Sequence, residues 1–146
     1  MASEIVPGQG MVLLVDDEEM IRHVGEELLQ AIGYDVITAA SGEEAVTRLK
    51  EAPEAVDVVI LDLIMPGMSG NEFFEGIRAL DPGVRTLLSS GYGLNSQARE
   101  ILDSGCSGFI QKPFDLRELS RKVRDLLEDR SKPGLEPPFP RAGLGN

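Results

Sequence analysis

The sequence predicts an α/β fold: a single doubly wound domain whose parallel five-stranded sheet carries helices on both faces. Three observations predict it. Short apolar runs alternate with longer stretches of helical period. The alternation repeats as five strand–helix units, which implies right-handed crossovers and a sheet covered on both sides. At 146 residues and 42% hydrophobic content, the chain is long and apolar enough for one core.

The elements follow in order. "MVLLV" (11–15) reads as a buried strand. Ile21, Val24, Leu28 and Ala31 recur at helical spacing, and Gly33 closes that helix as a C-cap. "DVITA" (35–39) is the second strand; Ser41 with Glu44 forms a capping box for the second helix, which Pro53 ends. "VDVVILD" (56–62) is richest in β-branched residues and is expected at the sheet's centre. After the turn "MPGMSG" a helix carries Phe73, Phe74, Ile77 and Leu80, and "DPG" (81–83) stops it. "RTLLSS" (85–90) is the fourth strand, followed by a helix around 96–104 with Ala98, Ile101 and Leu102 inward and Gly105 at its end. "GFIQ" (108–111) is a short fifth strand. Asp115 and Glu118 then form a second capping box, before a stripe of Leu116, Leu119, Val123, Leu126 and Leu127. Residues 1–10 and 131–146 are rich in Pro and Gly and read as an N-terminal linker and a C-terminal tail or linker around a domain at 11–130.

Composition narrows the function. A formal net charge of −11 argues against a nucleic-acid surface, which needs clustered Lys and Arg. Nothing approaches the apolar length of a membrane span, and "MASEIVPGQG" lacks the regions of a signal peptide. The single Cys106 has no internal partner and reads as a reduced thiol in a cytoplasmic protein.

In a doubly wound sheet, sites form outside the carboxyl ends of the strands. Strand one ends there in Asp16-Asp17-Glu18, strand three in Asp62, strand four in Ser89-Ser90 and strand five in Lys112-Pro113. Singly each has an ordinary explanation. Acids suit a helix N-terminus, serine a turn, and lysine a solvated face. Together they converge on one edge. Clustered carboxylates repel unless a cation joins them, and carboxylate oxygens with water suit Mg²⁺, which needs only one or two carboxylates plus phosphate oxygens. A lysine beside them is of no use to the metal; it makes sense if a phosphoryl anion arrives, to which serine can also donate. Asp62, held at the lip of the core, then serves as a nucleophile in aspartyl-phosphate chemistry.

"LLVDDEE", "VILDLIMPGMSG", "LLSSGY" and "GFIQKPF" closely resemble the receiver domains of two-component response regulators, over residues 10–130. The resemblance implies a flavodoxin-like sheet of order 2-1-3-4-5 with five helices. It implies that Asp62 is the phospho-acceptor, that Asp17 binds Mg²⁺ directly and Asp16 through water, and that Asp62 and the Ile64 carbonyl complete the protein's ligands. Lys112 would pair with the phosphoryl group and Ser90 would move to hydrogen-bond it. Ser90 is chosen over Ser89 because Gly91 supplies the small residue that normally follows, and Ser89 points to the opposite side. Phe109 matches the aromatic switch position and would fill the space Ser90 vacates, repacking the face of the fourth helix, fifth strand and fifth helix.

Ile64 and Tyr92, two residues after Asp62 and Ser90, are neither acid nor amide and shield the acyl phosphate, so slow self-dephosphorylation is expected, over many minutes or longer. The implied phosphodonor is a histidine kinase or histidine-phosphotransfer protein, with a phosphorylation-dependent homodimer as a family expectation. No turnover of an external substrate is expected. Two contexts fit: the receiver of a hybrid sensor histidine kinase, which the "LLSSGYG" and "GFIQKPF" segments favour, and a free-standing single-domain regulator. A Mg²⁺-dependent aspartyl-phosphate phosphatase would want a second Asp two residues after the nucleophile, where Ile64 stands. A dinucleotide-binding domain would want its glycines after the first strand, where the acids are. The lone His23 lies on the first helix, near the acids, as a bystander.

Overall fold

A computed structural model describes residues 9–52, 55–64, 70–91 and 93–131. Pro53, the turn residues 65–69, Tyr92, residues 1–8 and residues 132–146 lie outside the described residues, and so do the expectations resting on them.

The elements run β1 (Met11–Val15), α1 (Glu19–Ala31), β2 (Asp35–Ala39), α2 (Gly42–Glu51), β3 (Val58–Asp62), α3 (Gly70–Leu80), β4 (Arg85–Ser90), α4 (Ser96–Asp103), β5 (Gly108–Gln111) and α5 (Leu116–Ser131). All strand pairs are parallel, in the order β2-β1-β3-β4-β5, so β3 is central as its composition predicts. Val58, Val59, Ile60 and Leu61 have no exposed surface.

Alternation along the strands divides the core in two. Leu13, Val15, Val59, Leu61 and Leu88 pack with Ala45 and Leu49 of α2, Phe73, Phe74 and Ile77 of α3, and Ala98 and Ile101 of α4. Val12, Leu14, Val58, Ile60, Leu87 and Ile110 face Leu29 and Ile32 at the end of α1 and Leu119 and Val123 of α5.

Three expectations need correcting. On α1, Val24 and Ala31 point to solvent; the inward stripe is Ile21, Gly25, Leu28, Leu29 and Ile32. The stripe is centred on a glycine because a side chain there would collide with Leu14 of β1. Leu80 is 42% exposed: three residues after the buried Ile77, it is the last residue of α3. β3 begins at Val58 and not at residue 56: Asp57 turns its carboxylate back onto the Met11 amide (3.0 Å) and so closes the lead-in.

The caps hold with adjustments. Gly33, at φ 103°, lets its amide reach Gln30 O (3.1 Å) and lets Tyr34 N reach Leu29 O (3.0 Å), which is a Schellman closure of α1. Ser41 Oγ accepts from Glu44 N (3.1 Å), but the Glu44 carboxylate accepts from Ala40 N (2.8 Å), one residue before the cap. Asp115 accepts from Arg117 N (3.3 Å), while Glu118 lies 3.9 Å from Lys122 Nζ.

Candidate functional site

Strand register brings the polar residues to one level. Val15 pairs with Leu61, so Asp16 and Asp62 lie side by side just past that pair; Asp62 pairs with Ser89, and Ser90 with Gln111. Backbone bonds carry the sheet one residue further: Asp16 N to Ala39 O (3.1 Å), Leu63 N to Ser89 O (2.8 Å) and Lys112 N to Ser90 O (2.9 Å). The residues that close the sheet are thus the ones that carry the chemistry.

Asp17, Glu18, Ile21, Asp62, Ile64, Ser90, Gly91, Lys112 and Pro113 line a cleft of ≈ 610 Å³ at this edge. Asp16 lies beneath it, 1% exposed, with both oxygens engaged: Oδ1 accepts from Glu18 N (2.9 Å) and Oδ2 from Lys112 Nζ (2.9 Å). Asp62 is also buried, 3% exposed. Its Oδ1 accepts from Lys112 Nζ (3.2 Å) and, at 3.4 Å, from Ile64 N; Oδ2 takes part in neither contact. Asp17 is exposed. One oxygen from each of Asp16, Asp17 and Asp62 can be chosen so that all lie within 4.8 Å of one another. Such a set of hard oxygen donors fits a small divalent cation.

The electrostatics follow from this packing. Burial, and then the Asp16 charge, push the Asp62 carboxyl up from 3.8 to about 6, against the pull of Lys112 and the Ile64 amide. Burial would depress the Lys112 ammonium, but Asp16 and Asp62 outweigh it and the pKa ends raised. Lys112 itself therefore joins the two buried carboxylates, a role that the lysine's reading as a phosphoryl partner alone did not contain.

Ser90 lines the cleft. The Ser89 hydroxyl turns away, 3.5 Å from Leu61 O of the neighbouring strand. Phe109 is partly buried and packs against the core under α3 and α4, beside Leu88, whose strand neighbour two residues on is Ser90. Ser90 and Phe109 thus share a face of the sheet. Lys122 of α5 holds the Phe109 carbonyl (2.6 Å). Ile64 is 49% exposed at the cleft.

Arg22 has no place in the motif reading, yet it donates to the Asp16 carbonyl (2.7 Å) and ties α1 to the acidic turn. Its position one turn after Glu18 was the available signal. His23 is exposed and 3.4 Å from Glu27, in a separate cleft with Glu19, Met20, Arg22, Glu26 and Thr38. Cys106 is free and buried, with Sγ 3.2 Å from Thr86 O.

A family model described as the response regulator receiver domain matches residues 12–124. The chain is 38% identical over 121 residues to the sensor kinase CckA of Brucella abortus, covering 83% of this chain and 13% of the kinase. It also spans only about half the length of the probable transcriptional regulators ycf27 of Porphyridium aerugineum and Guillardia theta. Among solved structures it is similar to the receiver domain from the hybrid histidine kinase CckA, with 34% identity, a TM-score of 0.69, and coverage of 81% of this chain and 99% of that one. It is likewise similar to a CheX-CheY-BeF3-Mg complex from Borrelia burgdorferi, with 31% identity, a TM-score of 0.75, and coverage of 81% and 89%.

Proposed function

Because this chain belongs to the response regulator receiver family, we propose that it takes a phosphoryl group from a phosphohistidine onto Asp62 and relays that event through its α4-β5-α5 face. The donor is a histidine kinase or a histidine-phosphotransfer protein. The observation that carries this reading is the pair of contacts Lys112 makes with Asp16 (2.9 Å) and Asp62 (3.2 Å) at the mouth of the cleft.

Mg²⁺ would be held by Asp17 and Asp62, by the Ile64 carbonyl, and through water by Asp16, and would supply charge neutralisation for the transferring phosphoryl oxygens. Asp62 provides the attacking oxygen: a P–O bond forms to its carboxylate as the P–N bond to the donor imidazole breaks, and the bond's electron pair stays on the imidazole, which takes up a proton. Lys112, already beside Asp62, exchanges its carboxylate contacts for a phosphoryl oxygen there. Ser90 donates its hydroxyl to another, and Phe109, on the same face, follows it inward. Ile64 screens the acyl phosphate from water, which slows its hydrolysis.

Two contexts are compatible with this chemistry. The likeness to the CckA kinase and its receiver supports an origin in a hybrid histidine kinase. The likeness to a CheY, of which this chain covers 89%, supports a stand-alone regulator. A phosphorylation-dependent binding partner of its own would mark a stand-alone regulator; phosphate exchange with a kinase core of the same protein would mark the hybrid.

Intact mass after incubation with acetyl phosphate, with and without Mg²⁺, tests the reading on wild type and Asp62→Asn. One added phosphoryl group that needs both Mg²⁺ and Asp62 is expected. A group added equally to Asp62→Asn would refute the assignment of the acceptor.

A further inference from the structure

We propose that Phe114 is a positioning residue for Lys112: its ring, seated in a notch that Gly25 leaves on α1, fixes the main chain two residues from the lysine. The inference rests on the phosphoryl reading above.

Lys112 is held in two ways that differ in what happens when the site fills. Its ammonium is held by Asp16 and Asp62. Its backbone is held by the bond from Lys112 N to Ser90 O (2.9 Å). A divalent cation taking the carboxylate oxygens competes with the ammonium for them. From then on the position of Nζ depends on the main chain beneath it. The Ser90 bond fixes that chain on one side; on the other it leaves the sheet and must be held by packing.

Phe114 supplies the packing. It is partly buried and joins the core between the sheet, α1 and α5. Gly25 is buried in the middle of α1, where glycine weakens a helix. The position explains the residue: a Cβ there would stand 2.6 Å from Leu14 Cδ2 and 3.4 Å from Phe114 Cε2. The missing side chain lets α1 approach β1 closely and gives the ring a seat. The same helix begins beside the acidic turn and donates from Arg22 to the Asp16 carbonyl (2.7 Å). The acids and the lysine are thereby referenced to one rigid element.

Two variants of the full chain, Phe114→Leu and Gly25→Ala, test this. Phe114→Leu keeps an apolar side chain and is expected to fold; Gly25→Ala gains helix propensity but obliges Leu14, 2.6 Å from the new Cβ, to shift, so Phe114→Leu decides the test if Gly25→Ala does not fold. Calorimetric titration measures Mg²⁺ affinity first, then fluoroberyllate affinity at saturating Mg²⁺, fluoroberyllate being a tetrahedral anion that bonds a carboxylate as a phosphoryl group does. The expected result is a fall of about tenfold for fluoroberyllate, within the range that sub-ångström misplacement of a reacting group produces. Mg²⁺ affinity holds or rises, because a looser Lys112 competes less for the carboxylates. Both affinities falling together would mean general loosening and overturn the proposal, as would both staying unchanged. A wild type that takes up no fluoroberyllate would overturn the phosphoryl reading and this inference with it.

Discussion

Asp62→Asn should make the metal-free protein more stable at neutral pH. The Asp62 carboxyl rises from 3.8 to about 6 on folding, chiefly because it is buried and then because Asp16 lies beside it. A raised carboxyl pKa means that the folded state holds its proton more tightly than the unfolded chain does. The resulting stability is fully present below pH 3.8 and is lost as pH rises through about 6. At pH 7 the ionised carboxylate therefore costs the fold about 3 kcal/mol relative to its protonated form, at about 1.4 kcal/mol per tenfold in the proton equilibrium. Asparagine is isosteric and uncharged, and Lys112 keeps Asp16 as a partner. Allowing for the weakened contact with Lys112, a net gain of about 1–3 kcal/mol is expected, or roughly 3–10 °C in Tm for a domain of this size. Thermal melts with EDTA, from pH 4 to pH 8, measure it. The gap between variant and wild type should open as pH rises through about 6 and close towards pH 4. A variant of equal or lower Tm at pH 7, or a gap that ignores pH, would refute the reasoning.

Three further outcomes are expected. Lys112→Met leaves two buried carboxylates without their shared cation, so it should lower metal-free stability by about 3 kcal/mol yet raise Mg²⁺ affinity, which melts and calorimetric titration would register; weaker Mg²⁺ binding would contradict it. The phosphorylated wild type should keep its label for many minutes in Mg²⁺, and Ile64→Asn, which puts a water-orienting amide at the cleft, should shorten that lifetime severalfold by intact mass; loss within seconds from the wild type would sink the shielding role. Ser41→Ala removes the acceptor for Glu44 N and should cost about 1 kcal/mol in urea melts while leaving Mg²⁺ affinity unchanged, since α2 takes no part in the cleft.

Strand identity, the central place of β3 and the edge that holds the site were legible because the strands are short apolar runs with the site residues at or just past their ends, while the full strand order came from the family resemblance. Helix faces were less so. Counting apolar side chains put Val24 and Ala31 inside, when the buried centre of α1 is Gly25, a residue with no side chain to count. Knowing that needs the distance to Leu14 on another element. The choice of Ser90 over Ser89 was legible from Gly91 in the motif together with alternation, and the side chains do diverge. What the sequence hid was the lysine's place between the two buried carboxylates. Lys112 and Asp16 are 96 positions apart, and no local pattern announces that one ammonium bridges two carboxylates from different strands.

That bridge suggests why metal and phosphoryl group should bind cooperatively. Asp16, Asp17 and Asp62 with Lys112 sum to two negative charges. A phosphoryl dianion arriving alone would meet that negative field and only one cation. A divalent ion arriving alone would cancel the field but compete with Lys112 for the charge of the same carboxylates. With both present, Asp16, Asp17 and Asp62 would hold the cation and Lys112 would be released to the phosphoryl oxygens, so each ligand would remove the other's electrostatic penalty. Linkage makes the effect reciprocal: fluoroberyllate should tighten Mg²⁺ by the factor by which Mg²⁺ tightens fluoroberyllate. On the proposed reading, binding of cation and phosphoryl group would relieve the cost of keeping Asp62 charged and buried, and so would couple phosphorylation to the stability of the site.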